Sequence, residues 1–253
     1  MLVRKLAILG LAFGLLTAAP AFAAGEMEYP EQNWSFNGPF GTFDKAAAQR
    51  GFQVYKEVCA NCHSMKQVYY RNLAGIGLSD EQIKAVAASV SVPTIGDDGQ
   101  PTERPGLPSD HFKAPYANEK AARAALNGAL PPDQSVIEKA REGGADYLYA
   151  LLTGYQEPPA DMKMGDGMNY NKWFAGHQIA MAQPLVDGRV DYADGTKATL
   201  QQEAKDVVTF LTYVANPEME ERKRMGVKVV LFLALMSCLT YVVKRQIWSG
   251  VDH

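Results

Sequence analysis

The chain has 253 residues, 47% hydrophobic and 21% charged, with a formal net charge of −3; this suits one good-sized domain or two small ones and is too apolar for wholesale disorder. The acidic balance argues against a nucleic-acid binder working through a basic face, and three cysteines are too few for a disulfide scaffold. A mean hydropathy of −0.19 excludes a polytopic membrane protein but leaves room for an apolar segment at each end of the chain.

The first segment has the build of a targeting signal. Arg4 and Lys5 form a basic head, residues 6–16 an apolar run, and Ala21-Phe22-Ala23 a small-x-small cleavage site just after Pro20. Residues 1–24 are therefore expected to be a cleaved signal peptide, which places the mature domain outside the cytoplasm.

Helix signals follow in short pieces. Asp44 can cap a helix whose apolar face reads Gly51/Phe52, Tyr55, Val58/Cys59 and Cys62, spaced by three and four. Ser79 and Gln82 make a capping box for a helix to about Val90. Asn118 caps one that ends at Asn127-Gly128, and Ser135 with Glu138 predicts another ending at Gly143-Gly144. Residues 146–153 give one more, closed by Gly154. Thr199 and Gln202 open the longest, with Leu200, Ala204, Val207, Val208, Leu211 and Val214 inward and Asn216-Pro217 as its stop. The helix leading into Cys59 and this last one are expected to cross. Between them lie Pro- and Gly-rich stretches at 91–117, 129–134 and 154–198, with one short hairpin expected over 185–192 around Asp187-Gly188. Loops this long suit a domain wrapped round a large cofactor.

The second apolar segment, 225–243, carries one charge, Lys228, near its start. As a helix it rises about 28 Å, close to the hydrocarbon thickness of a bilayer. Basic residues stand on both sides, Arg222, Lys223 and Arg224 before it and Lys244 and Arg245 after it, so the export signal rather than charge counting sets the orientation. The chain then divides into an exported domain over 25–221, an anchor with basic flanks over 222–245 and a cytoplasmic tail over 246–253. The exported part holds 17 Lys+Arg against 27 Asp+Glu, a net of −10. Such a surface attracts a basic soluble partner, with Asp97/Asp98, Asp187/Asp191/Asp194 and Glu26/Glu28/Glu31 as candidate acidic groups.

The chemistry is carried by Cys59-Ala60-Asn61-Cys62-His63. In a C-x-x-C-H run the two thiols add across the vinyl groups of haem and the adjacent imidazole reaches the iron. A redox dithiol would want a βαβ context, which is missing. A zinc site would want further ligands, and the remaining cysteine, Cys238, lies inside the apolar span. For a sixth iron ligand, a Met thioether suits a high-potential haem. The candidates are Met65, Met162, Met164, Met168, Met181 and Met219, with His111 and His177 as rivals. Met65 is too close to His63 to reach the opposite face and Met219 sits at the membrane edge. Met181 stands between small residues and Pro184, where a thioether can be presented rigidly, but spacing alone leaves the choice open.

At this point a family resemblance enters. Residues 50–65 (RGFQVYKEVCANCHSM) resemble the haem-attachment region of cytochrome c1, as do 121–133 (AARAALNGALPPD), 146–155 (DYLYALLTGY) with Glu157-Pro158-Pro159, Ala180-Met181-Ala182, 204–207 (AKDV) and 222–226 (RKRMG). The resemblance runs in order over nearly the whole mature chain, and the signal with C-terminal anchor matches the bacterial form. It implies a mainly α fold, a c-type haem domain with long loop insertions plus one C-terminal transmembrane helix. It implies one haem c, attached through Cys59 and Cys62, with His63 and Met181 on the iron, Arg123 on a haem propionate, and Pro131-Pro132 packed beside the ring. It further implies a subunit of ubiquinol–cytochrome c reductase in the bacterial inner membrane, haem domain on the periplasmic side. The partners implied are a cytochrome b subunit, the Rieske iron–sulfur protein as electron donor and a soluble or tethered cytochrome c as acceptor, with no quinone site in this chain. Two features depart from some relatives: no spare cysteine pair exists for an extra disulfide, and Gln134-Ser135-Val136 stands where Leu-Ser-Tyr is common. A haem enzyme such as a peroxidase would need an open sixth position, and a self-standing tethered carrier would need far less chain.

Overall fold

The computed structural model describes residues 28–250; the expected signal peptide and the end of the tail lie outside the described residues. Helix α1 (Lys45–Glu57) starts where Asp44 Oδ1 accepts from the Ala47 amide at 3.1 Å. A 3₁₀ turn (Cys59–Asn61) follows it, and a second (Tyr70–Ile76) leads into α2 (Asp80–Ala88). There Ser79 and Gln82 make both bonds of the expected capping box, at 3.3 and 2.8 Å. Next come the hairpin β1 (Ser91–Ile95) and β2 (Pro101–Pro105), then α3 (Glu119–Ala125) capped by Asn118, and α4 (Gly144–Thr153). Two-residue strands β3 (Asn169–Tyr170) and β4 (Gln178–Ile179) pair antiparallel. The chain closes with α5 (Leu200–Ala215), capped by Thr199, and the 30-residue α6 (Met219–Trp248).

The expected crossing of α1 and α5 is the centre of the domain. It is made possible by Gly51, where an added Cβ would stand 2.0 Å from the Asp206 carbonyl oxygen and 2.9 Å from Phe210 Cβ. Around this contact Val54, Tyr55, Val207, Val208 and Phe210 are buried. Phe52, Tyr55 and Tyr70 converge on Phe112, with Tyr70 and Phe112 stacked at 4.6 Å. Beside the crossing, the Arg50 guanidinium grips the fully buried Asp206 carboxylate through Nε at 2.8 Å and Nη2 at 3.0 Å, and reaches Asp194 with Nη1 at 3.0 Å. Helix α4 packs on the other side of α5.

Three expectations fail for physical reasons. No helix forms over 135–143, only successive turns. Ser135 Oγ is taken by the Gln67 amide at 3.0 Å and Glu138 by Asn216 Nδ2 at 2.9 Å, so neither is left to cap a local helix. The 185–192 hairpin is absent as well: Asp187 Oδ1 accepts from the Leu200 amide at 2.8 Å and Gly188 donates to Ala198 O, which ties this segment to the start of α5. The hairpin that does form spans 91–105, in a stretch read as loop. Its prolines, Pro93, Pro101 and Pro105, are tolerated because a two-stranded ribbon leaves every strand an edge.

Helix α6 begins six residues before the apolar run. Its first residue, Met219, is buried in the domain core rather than standing at a membrane edge. Thirty residues rise about 45 Å, so the helix serves both the domain and an apolar span that is exposed along its whole length.

Candidate functional site

The cysteine–histidine motif sits directly on the C-terminal end of α1. The Cys59 carbonyl accepts from both the Cys62 amide at 3.1 Å and the His63 amide at 2.9 Å, so one tight turn carries both thiols and the imidazole. Asn61 Nδ2 closes the end of α1 by donating to Glu57 O at 2.9 Å and Val58 O at 3.2 Å. Burial pushes the Cys59 thiol up to about 12, with Cys62 adding to it.

His63 is oriented by a backbone carbonyl. Its Nδ1 stands 2.8 Å from Pro132 O, and because a carbonyl only accepts, Nδ1 carries the proton and Nε2 keeps its lone pair. Burial lowers the imidazole pKa, against the opposing pull of Pro132 O and Asp133, which favours the neutral, ligating form.

The carbonyl itself is fixed by a clasp between 64–67 and 132–135. The Asp133 carboxylate accepts from Ser64 Oγ at 2.7 Å, the Lys66 amide at 2.9 Å and the Ser135 amide at 2.9 Å. The Gln134 amide donates to Ser64 O at 2.8 Å. Burial alone would raise the Asp133 carboxyl, but these bonds hold it below its ordinary value.

Met181 is held by a different part of the fold. It is half-buried, two residues beyond β4, and its backbone oxygen accepts from the Tyr155 hydroxyl at 3.0 Å. The fully buried Asn171 braces the same region, donating to Leu151 O at 2.7 Å and accepting from the Trp173 amide at 3.0 Å. Tyr155 lies near Tyr147, and Tyr147 in turn meets the Arg141 guanidinium, which partly offsets the upward push of burial on its hydroxyl. The Tyr155 hydroxyl thus restrains the backbone that carries Met181.

Arg123 makes a local contact of its own. It is exposed on α3, and its Nη1 donates to Gly128 O at 2.9 Å while Gly128 N donates to Arg123 O at 2.8 Å. It braces the turn at Asn127 and Gly128, both at positive φ, that leads the chain toward Pro131 and Pro132. Among the described residues no hydrogen bond joins it to His63 or Met181, whereas Pro132 contacts His63 through its carbonyl.

The other ligand candidates are placed as follows. Met65 and Met219 fill the core. Met162, Met164 and Met168 are half-buried in the loop between α4 and β3. His111 is exposed, its ring 3.8 Å from that of Tyr69, and His177 Nδ1 pairs with Lys172 O at 2.9 Å.

Sequence reasoning missed Asp133, Tyr155 and Arg141. An acid directly after Pro-Pro, with Ser64 beside the motif, was the available signal for the first; Tyr155 and Arg141 act through contacts that no spacing rule records.

The residues present fit a haem bound through two thioethers and an axial imidazole. Nε2 is the free imidazole nitrogen, Cys59 is half-buried, and the Tyr55 hydroxyl and Gln134 Oε1 are buried oxygens without a protein partner close to this turn. Among the described residues no three His, Cys, Asp or Glu side chains cluster as ligands for a bare metal ion.

Comparison with known proteins bears on the same residues. The model of the cytochrome C1 family matches 34–251. The chain is 49% identical to "Cytochrome c1, heme protein, mitochondrial" of Saccharomyces cerevisiae, over 92% of this chain and 77% of that protein. It is 42% identical to "Cytochrome c1" of Rhodospirillum rubrum over 99% and 98%, and 47% identical to "Cytochrome b-c1 complex catalytic subunit, mitochondrial" of Candida albicans over 93% and 83%.

Proposed function

The chain belongs to the cytochrome c1 family, and on that premise we propose that it takes electrons one at a time from the Rieske iron–sulfur protein and passes them to a soluble or tethered cytochrome c. It is a haem subunit of the cytochrome b–c1 complex, and its cofactor is haem c. When bound, that group supplies a one-electron iron couple. The role of the protein is to hold the group in one geometry in both oxidation states.

Cys59 and Cys62 would hold the haem through thioether bonds, and His63 Nε2 and the Met181 thioether would ligate its iron. Pro132 O keeps the imidazole proton on Nδ1 and fixes the ring plane, and the Asp133 clasp holds Pro132 in place. Tyr155 restrains the backbone that carries Met181. Arg123 neutralises a propionate, and Pro131 with Pro132 packs beside the ring. Helix α6 anchors the domain in the bacterial inner membrane with the haem on the periplasmic side.

The observation that carries this reading is the 2.8 Å bond between His63 Nδ1 and Pro132 O inside a C-x-x-C-H turn. It holds the proton on Nδ1 and so prepares Nε2 as a ligand. The test is to isolate the tagged chain from membranes in mild detergent. A cytochrome b and a Rieske protein should co-purify with it; recovery of the chain alone at full haem loading would overturn the proposed partners.

A further inference from the structure

The junction between the domain and α6 is built as a joint without play. Met219 is buried in the core, Glu220 Oε1 accepts from the Phe43 amide at 2.8 Å, and Lys223 Nζ donates to Phe36 O at 2.6 Å and Gly41 O at 3.1 Å. Glu220 and Lys223 are three residues apart and share a helix face. The loop 36–43 therefore follows that face downward, with Phe43 level with Glu220 and Gly41 reached from Lys223.

Phe40 is the next residue in that direction. It is 80% exposed, beside the exposed Pro39. A single exposed aromatic is ordinary on a protein surface, but this one is pinned beside the entry of a membrane span. The apolar run starts at 225, about 3 Å further along the axis than Lys223. A headgroup layer is about 5–7 Å deep on each side of the hydrocarbon, so a loop bound to Lys223 lies within reach of it. Arg222 and Arg224, both exposed, stand at the same level and suit anionic headgroups.

We propose that the loop 36–41 is a second membrane contact, in which Phe40 inserts among lipid headgroups and, through the Lys223 and Glu220 bonds, fixes the angle of the haem domain to the bilayer. The occupant of this patch is lipid. The inference rests on the reading of α6 as a membrane anchor and goes beyond it, because a span alone leaves the domain free to tilt.

The experiment is spin-label depth measurement on the full haem-loaded chain in vesicles of phosphatidylcholine with one fifth phosphatidylglycerol. The parent chain labelled at its native Cys238 reports on the span by itself, the other two cysteines being used by the haem. In a Cys238→Ala background, labels are then placed by Phe40→Cys and, as an exposed apolar control away from α6, Ile95→Cys. The ratio of collisions with oxygen to collisions with an aqueous nickel chelate should be about threefold or more higher at Phe40→Cys than at Ile95→Cys. An equal, water-like ratio at both positions refutes the lipid contact. Loss of both kinds of collision at Phe40→Cys refutes it too, since that signals burial against protein, such as a second copy. If the Cys238 label also reads as aqueous, the anchor itself is misassigned and the inference falls with it.

Discussion

Gly51→Ala separates local propensity from tertiary packing, because the two predict opposite signs. In an unobstructed helix interior this change stabilises by about 0.5–1 kcal/mol. Here the new methyl would lie 2.0 Å from the Asp206 carbonyl oxygen and 2.5 Å from its carbon. Comfortable carbon contacts are about 3.5–4.0 Å, so α1 and α5 must part by more than about 1 Å, and a gap of that size forfeits up to about half of each facing dispersion contact. The obstacle is backbone and cannot rotate away. Overpacking of this kind costs about 3 kcal/mol, at the upper end of the usual range. Net of the propensity gain, the variant should be destabilised by about 2 kcal/mol. For a domain of this size that is a fall of about 4–8 °C in Tm. Thermal unfolding of the detergent-solubilised chain, followed by Soret dichroism, reads it directly. An unchanged or raised Tm would show that the helices do not cross at Gly51.

Met181→Leu should keep the haem covalently attached while lowering its potential and admitting carbon monoxide; unchanged potential and ligand reactivity would remove Met181 from the iron. Arg123→Gln should lower the potential by withdrawing a cation from a propionate, while Arg141→Gln should not; the reverse result would move that role to Arg141. Glu203 is fully buried with Oε2 unpartnered, and burial raises its carboxyl above the ordinary value. A raised acid favours the folded state in its protonated form, so its contribution is full below the unfolded pKa and is lost as pH rises through the folded one. Glu203→Gln should therefore flatten the stability profile on the alkaline side of about pH 4.5, where the parent curve declines; parallel curves would contradict this. The net −10 of residues 25–221 should make reduction of a basic cytochrome c fall steeply with salt. The effect should weaken on neutralising Asp97 and Asp98 together, and a flat profile would leave the acidic surface with no part in docking.

What the sequence revealed and what it hid divide along physical lines. Asp44, Ser79, Asn118 and Thr199 all cap helices as expected, because a cap is a bond to an amide a few residues away. The C-x-x-C-H turn was legible for the same reason, and Gly51 already stood on the inward face of the helix leading into it. Ser135 and Glu138 carried an equally good cap pattern and formed no helix, because Gln67 and Asn216, distant in sequence, claim their side chains. The clasp at Asp133 joins segments nearly seventy residues apart, beyond the reach of any local rule. Met219 was read at the membrane edge because hydropathy marks only where lipid begins, whereas Asn216-Pro217 ends one helix and the next restarts at Met219 inside the domain core.

On the proposed path, electrons reach this chain from the Rieske protein and leave it for cytochrome c. Stopped-flow spectroscopy of the isolated complex tests it by following haem c absorbance after quinol is added, with the Rieske protein present, removed and restored. The account predicts prompt reduction with the Rieske protein, none without it, recovery on restoring it, and reoxidation when oxidised cytochrome c is then mixed in. Haem c reduction at an unchanged rate in the complex lacking the Rieske protein would contradict it.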